Sequence, residues 1–80
     1  MEYFVYILKS LCANKTYVGI TNNLERRLKE HNSGKSKFTK TYVPWEIIYN
    51  EKLSSRAIAR NREKYFKSTA GRKRIKELIK

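Results

Sequence analysis

The stretch EYFVYILKSLCANKTYVGIT, residues 2–21, contains two apolar segments separated by a short polar break. The first segment, 2–9, is dominated by aromatic and β-branched residues, which is typical of a buried strand. The second segment, 16–21, has the same character, and the break at 10–15 contains Asn14, a common turn residue. Two strands joined by a short turn form an antiparallel hairpin. The stretch therefore predicts the first two strands of a sheet.

Gly19 lies inside the second of these predicted strands. A glycine in a strand indicates either a bulge or weakly packed position, or a place where another group approaches the backbone closely. The glycine by itself favours neither interpretation, so both remain open at this point.

A helix is predicted directly after the hairpin. Asn22 or Asn23 is a suitable N-cap for it. Leu24, Leu28 and His31 recur at the helical period, which places them on one face. That face is expected to pack against the sheet.

Two adjacent arginines in this helix are predicted to point in different directions. With Leu24 at 0°, Arg27 lies at about −60°, beside the apolar face, whereas Arg26 lies at about 200°. Arg27 is therefore expected to border the sheet, and Arg26 is expected to face water.

The second half of the chain predicts one more strand and two more helices. The first helix is predicted to end at 32–34, and a basic loop over 35–44, ending in Pro44, leads to a strand at 45–49. A second helix is capped by Ser54 or Ser55 and runs to about Lys67. A third helix is capped by Ser68 or Thr69. The order is β-β-α-β-α-α. It predicts one α+β domain over 1–80, with a three-stranded antiparallel sheet flanked by helices.

The net charge is the strongest compositional signal. The 80 residues include 19 Lys or Arg and 7 Asp or Glu, for a formal net charge of +12. A chain of this length excludes multidomain enzymes and large barrels. The charge predicts a polyanionic partner; nucleic acid is the usual one, and an acidic membrane surface is the alternative. The side chains expected to contact nucleic acid are Lys35, Lys37, Lys40, Arg60, Lys67, Arg72 and Lys73.

The sequence also predicts a cytoplasmic protein that is not inserted in a membrane. No stretch approaches the ~20 apolar residues of a membrane-spanning helix. The N-terminus carries an acidic residue before its apolar run and has no small-residue cleavage site. The single cysteine, Cys12, cannot form an intrachain disulfide, which fits a reducing compartment.

Most familiar catalytic constellations are absent from the sequence. It contains no aspartate, one histidine, one cysteine and no glycine-rich phosphate loop, so a zinc site and a nucleotide-binding loop are excluded. The remaining candidates for chemistry are Tyr6, Tyr17, Arg27, His31 and Glu63. Phosphodiester hydrolysis needs a group that activates water, a cation that neutralises the phosphoryl oxygens and often a metal ion. This set could supply all three.

Each candidate also has an ordinary structural interpretation. The tyrosines could be half-buried strand residues, the histidine a core residue with satisfied hydrogen bonds, and the arginine a surface residue. Glu63 could form a surface pair with Lys67 at i+4. Against this, Glu63 shares a helical face with Ala59 and Phe66, which tilts it towards the interior, where a lone carboxylate requires a cation.

The ordered set of motifs resembles the GIY-YIG nuclease superfamily. Val5-Tyr6-Ile7 and Tyr17-Val18-Gly19 resemble its paired signature, and the helix 24–31 resembles the helix that carries its arginine and a histidine four residues later. Pro44-Trp45 and Glu63 also fall where the family has them. The chain looks closest to small stand-alone bacterial members and to the nuclease domain of Slx-type endonucleases.

The resemblance implies a role for each candidate. Tyr17 would be the general base or would orient the attacking water, and Tyr6 would support it by hydrogen bonding. Arg27 would stabilise the phosphate, and His31 would assist proton transfer or position the phosphate. Glu63 would be the sole protein ligand of one Mg²⁺ or Mn²⁺ ion. The implied activity is cleavage of DNA, including branched or damaged DNA, selected by structure more than by sequence.

The chain departs from the family pattern at three places. The first motif reads Val5-Tyr6-Ile7, with its tyrosine in the centre and no glycine before it. Ile20 stands where some members have lysine, and no asparagine follows Glu63. Two other functions therefore remain open. One is a catalytically weak nucleic-acid-binding module that works with a partner protein. The other is an RNA- or ribosome-associated basic protein, which explains the charge but not the five candidate residues.

Overall fold

Three strands and three α-helices follow one another in the predicted order, β-β-α-β-α-α. The structure is a computed structural model that describes residues 2–79. Its elements are β1 (Tyr3–Ser10), β2 (Thr16–Thr21), α1 (Leu24–Asn32), a 3₁₀ turn (Thr39–Tyr42), β3 (Trp45–Leu53), α2 (Arg56–Lys67) and α3 (Thr69–Ile79). The predicted α+β class and antiparallel sheet are confirmed.

Two elements differ from the sequence prediction. The third strand, predicted at 45–49, continues to Leu53 because its polar second half pairs with β1, with Tyr3 opposite Leu53 and Tyr6 opposite Asn50. The loop predicted over 35–44 contains the 3₁₀ turn, whose Thr39 is fully buried.

The central strand β1 organises the core. The sheet order is β2-β1-β3, and four consecutive residues of β1, from Val5 to Leu8, are buried. Val5 and Ile7 pack with Phe66 and Ile75 on one face of the sheet. The alternate residues on the other face pack with Trp45. Because both faces of the sheet are covered, the sequence of β1 is a continuous apolar run.

The helices divide between the two faces. α1 and the 3₁₀ turn cover the face of Tyr6, and α2 and α3 cover the face of Val5. α2 is also tied to β3 by a two-pronged ion pair, in which Arg62 Nε and Nη2 donate to the Glu51 carboxylate at 2.8 Å each. None of the helices within residues 2–79 is both long and apolar enough to cross a membrane.

Gly19 lies directly opposite Tyr6 in the β1–β2 ladder. A Cβ at Gly19 would lie 2.6 Å from Tyr6 Oη and 2.8 Å from Tyr6 Cζ, closer than real carbon contacts allow. The Tyr6 ring therefore lies directly on the backbone of the neighbouring strand. Of the two interpretations of Gly19, the structure supports the close approach.

Replacing Gly19 with alanine tests this contact. The Tyr6 hydroxyl is buried and hydrogen-bonded, so it cannot move aside cheaply, and we expect Gly19→Ala to lower the free energy of unfolding by about 1–3 kcal/mol. Urea denaturation measures the change. In a Tyr6→Phe background the same substitution should cost less, because the nearest clashing atom is gone. Equal costs in the two backgrounds would contradict the assigned contact.

Candidate active site

A hydrogen-bonded chain of three buried side chains lies between β1, α1 and the 3₁₀ turn. His31 in α1 is fully buried, and its Nε2 lies 2.9 Å from Tyr6 Oη. Its Nδ1 lies 2.8 Å from Thr39 Oγ1. The indole Nε1 of Trp45 donates to the Thr39 carbonyl at 2.8 Å. Both imidazole nitrogens therefore have partners, as burial of a polar ring requires.

Burial sets the protonation states of this chain. It lowers the pKa of His31 to about 4, with a further lowering by the charge of Arg27. It raises the pKa of Tyr6 to about 12, against the opposing effect of Arg27. At neutral pH the imidazole is uncharged and the phenol keeps its proton. A neutral imidazole has one donor and one acceptor, so the ring donates to one of Tyr6 and Thr39 and accepts from the other.

Tyr17 lies next to this chain but is less enclosed. Its side chain is half-buried, and its ring meets the His31 ring edge-on at 4.9 Å and the Tyr6 ring at 6.3 Å. Among residues 2–79 the Tyr17 hydroxyl has no hydrogen-bonding partner within the protein. The two tyrosines thus differ in environment, one sealed into the core and the other open to a ligand.

Arg27 borders the same group, as the helical geometry predicts. Its side chain is 30% exposed, compared with 56% for Arg26. One guanidinium nitrogen, Nη1, donates to Glu30 Oε1 at 2.9 Å. Its positive charge lowers the pKa of both Tyr6 and His31.

Glu63 lies on α2, and its link to the other candidates is through its charge. Its side chain is 20% exposed, and its negative charge contributes to the raised pKa of Tyr6. The predicted pair with Lys67 is also present, with Lys67 Nζ donating to Glu63 Oε2 at 3.3 Å. The carboxylate therefore has both the surface partner and the inward position that the sequence suggested.

The acidic groups present fit only an incomplete metal site. Within the described part of the chain, no group of three His, Cys, Asp or Glu side chains is placed to hold a metal ion. Mg²⁺ keeps several waters and often binds through one carboxylate together with substrate phosphates. Glu63 fits that mode, in which phosphate oxygens complete the coordination.

The seven side chains predicted to contact nucleic acid are all exposed, and they come from three parts of the chain. Lys67 and Arg72 line a groove that also includes Tyr17. Arg60 lies on the same face of α2 as Lys67, two turns earlier. Of the remaining four, Lys73 lies on α3. The other three lie in the segment before β3 and are Lys35, Lys37 and Lys40.

Sequence reasoning missed two residues of this region. Thr39 completes the hydrogen bonding of His31, and the only available signal was that a buried histidine needs two partners. Arg56, at the start of α2, lines a small depression together with Arg26 and Arg27. Its proximity to α1 depends on how α2 packs, which no local pattern records.

The family model of the GIY-YIG catalytic domain matches residues 2–76. The chain belongs to the GIY-YIG family. The two motifs that suggested this membership, Val5-Tyr6-Ile7 and Tyr17-Val18-Gly19, occupy the paired strands β1 and β2 of the GIY-YIG domain. Tyr6 and Tyr17 point to the same face of that hairpin, which explains why the two motifs occur together.

Similar proteins include members named UPF0213. The chain is 42% identical to UPF0213 protein YsiG of Lactococcus lactis, covering 99% of this chain and 76% of that protein. It is 40% identical to UPF0213 protein YazA of Bacillus subtilis, covering 91% and 74%. The solution NMR structure of UPF0213 protein BH0048 from Bacillus halodurans matches with a TM-score of 0.57 and 30% identity, covering 98% and 85%. These names state no activity, so the expectation of a nuclease rests on membership of the GIY-YIG family.

The buried imidazole predicts a specific pH dependence of stability. In the unfolded chain His31 binds a proton near its ordinary pKa of 6.5, whereas in the folded GIY-YIG domain it does so only near 4. Between these values the unfolded state binds more protons, so stability falls as pH falls. We expect a loss of about 1–2 kcal/mol between pH 7 and pH 5.

Urea denaturation across this pH range measures the effect. His31 is the only histidine, so His31→Gln should remove most of the slope of the curve between pH 7 and pH 5. A wild-type curve that is equally flat would show that the imidazole is not held neutral.

Proposed function

We propose that this GIY-YIG domain is a metal-dependent endonuclease that hydrolyses phosphodiester bonds of DNA. The observation that carries the proposal is a set of three groups whose contacts or charges act on the buried Tyr6–His31 pair. These groups are the hydroxyl of Tyr17, which has no partner among residues 2–79, the partly exposed guanidinium of Arg27 and the carboxylate of Glu63. Each meets one requirement of phosphodiester hydrolysis.

In this proposal Tyr17 acts as the general base for the attacking water or orients it. Its hydroxyl has no protein partner among the described residues, so its oxygen can accept a hydrogen bond from water. Tyr6 is buried, bonded to His31 and holds its proton firmly, so it cannot replace Tyr17 in this role. Tyr6 instead supports the hairpin face on which Tyr17 lies.

His31 acts as a positioning residue. The imidazole is sealed from solvent, and both of its nitrogens are occupied, so in this arrangement it does not contact a phosphate directly. Its edge-on contact with Tyr17 and its bond to Tyr6 hold both rings. Of the two roles suggested by the family resemblance, positioning of phosphate is therefore replaced by positioning of the tyrosines.

Arg27 supplies positive charge for the phosphate. Nη1 donates to Glu30, and the exposed part of the guanidinium can donate to phosphoryl oxygens. Because the side chain is partly buried and held by Glu30, little reorganisation is needed when charge develops in the transition state.

Glu63 would hold one divalent cation, Mg²⁺ or Mn²⁺. When bound, such an ion neutralises charge on the phosphate and the leaving oxygen. The pair with Lys67 is largely exposed on the lysine side, and pairs of this kind are weak, so the carboxylate can exchange partners. A single protein carboxylate predicts weak metal binding until DNA phosphate is present.

The proposed substrate is recognised through its backbone and shape. The predicted phosphate contacts are exposed lysines and arginines, which carry no sequence information. Branched or damaged DNA fits this mode of recognition, and a partner protein would add targeting.

The single cysteine, Cys12, is unpaired, and we propose a cytoplasmic location on that ground.

A cleavage assay tests the endonuclease proposal. Branched, nicked and linear duplex DNA are incubated with Mg²⁺ or Mn²⁺, and cleavage should disappear when the metal is chelated. Arg27→Ala and Glu63→Gln should each lower the rate by about 10²-fold or more. Glu77→Gln, which changes an exposed acid on α3, should stay within about twofold of wild type.

Two results would contradict the proposal. Equal cleavage by all variants would indicate a contaminating nuclease. Retained DNA binding without cleavage by the wild-type protein would favour the binding module that works with a partner.

The division of roles between the tyrosines has its own test. Tyr17→Phe should lower the cleavage rate by about 10²-fold or more with little change in stability, because only an open hydroxyl is lost. Tyr6→Phe should lower stability by about 1–3 kcal/mol, because His31 Nε2 loses its partner. Single-turnover rates and urea denaturation are measured on both variants. A fully active Tyr17→Phe would show that the water is activated elsewhere.

A further inference from the structure

An open groove of about 600 Å³ lies between the edge strand β2, the loop before the 3₁₀ turn and helices α2 and α3. Its floor includes Val18, Phe66 and Ile75, which belong to the core on the Val5 face of the sheet. Tyr17 lines it as well, so the groove borders the candidate active site. The proposed mechanism does not use this space.

Phe38 provides an exposed aromatic wall of the groove. Half of its surface is accessible, and its ring lies 6.0 Å from the ring of Tyr17, with 30° between the two planes. Because half of Phe38 is exposed, part of its ring is open to a ligand beside Tyr17. Aromatic side chains of this kind stack nucleobases where proteins bind single-stranded nucleic acid.

Positive charge surrounds the apolar floor. The lining includes four cationic side chains and, among the described residues, no acidic one; the cations are Lys15, Lys67, Arg72 and Lys76. They come from the β1–β2 turn, the end of α2 and α3, so they surround the floor from different elements. The matching ligand has an anionic backbone and flat apolar faces.

We infer that this groove holds an unpaired nucleotide of single-stranded DNA, with its base against Phe38 and Tyr17 and its phosphates on the cationic rim. The inference rests on the proposed function, which supplies DNA as the substrate class. Paired bases in a duplex hide their faces in the stack and offer only their edges and the phosphates. An acidic peptide would satisfy the charges but would present no flat face to the aromatic wall.

The position of the groove also defines the substrate class more narrowly. Tyr17 belongs to both the groove and the site, and Lys67 lines the groove while bonding Glu63 at 3.3 Å. A nucleotide in the groove therefore brings its phosphate to the reacting groups. The substrate class is DNA with an unpaired nucleotide beside the scissile phosphate, as in a single-stranded flap or gap.

The test measures binding by the whole chain in EDTA, so it is independent of cleavage. Fluorescence anisotropy compares a labelled single-stranded oligodeoxynucleotide, the same strand with abasic sites, a blunt duplex and an RNA strand of the same sequence. Removal of the bases should weaken binding about tenfold. Phe38→Ala should weaken single-strand binding about tenfold and change duplex binding by less than about twofold, and Phe38→Trp should restore it.

Ile58→Ala is the matched control, because Ile58 is a similarly exposed apolar side chain that does not line the groove. It should leave all affinities unchanged. Equal binding of the abasic and base-bearing strands would overturn the inference, and so would an equal effect of Phe38→Ala on the duplex. Tighter binding of RNA than DNA would overturn the assignment to DNA. Failure of the nuclease proposal appears separately, as absent cleavage with these affinity ratios intact.

Discussion

The buried hydroxyl of Tyr6 is the constraint on which the rest of the site depends. A phenol can be enclosed in a small core only if its oxygen has a partner, and His31 supplies it at 2.9 Å. The ring fits there only because the opposite residue on β2, Gly19, has no side chain. The hydrogen bond from α1 and the absence of a side chain on β2 thus both act at one atom of β1, the Tyr6 hydroxyl oxygen.

This enclosure gives two tyrosines of the same hairpin different chemistry. Tyr6 is held in place by its hydrogen bond and keeps its proton, because burial raises its pKa to about 12. Tyr17 rests against the His31 ring at 4.9 Å without a hydrogen bond of its own to residues 2–79. Tyr6 is therefore rigid but unreactive. Tyr17 is open to a ligand and is oriented by its contact with the rigid His31 ring. The division follows from burial, which the residue type does not reveal.

Most of the fold could be predicted from sequence because its signals are local. The apolar segments, the Asn23 cap and the different directions of Arg26 and Arg27 depend only on neighbouring residues and helical periodicity. Thr39 could not be predicted, since nothing nearby distinguishes it from Thr41 until the loop folds against α1.

The same limit applies to the candidate site. Its five members could be chosen from the sequence only through the family resemblance, and their ordinary structural interpretations stayed open. The effect of Glu63 on the pKa of Tyr6 depends on how α2 packs against the sheet, so the sequence could not predict it.

Lys67 shows how the proposed functions depend on one another. Its ammonium group neutralises Glu63 in the free protein and also lines the groove proposed for the unpaired nucleotide. A phosphate that takes up Lys67 removes the counter-ion of Glu63 and leaves a partly buried carboxylate that requires another cation. The same phosphate offers the oxygens that a divalent ion needs beyond one carboxylate. In a chain with +12 net charge and few acids, substrate binding and metal binding at Glu63 are therefore expected to strengthen each other.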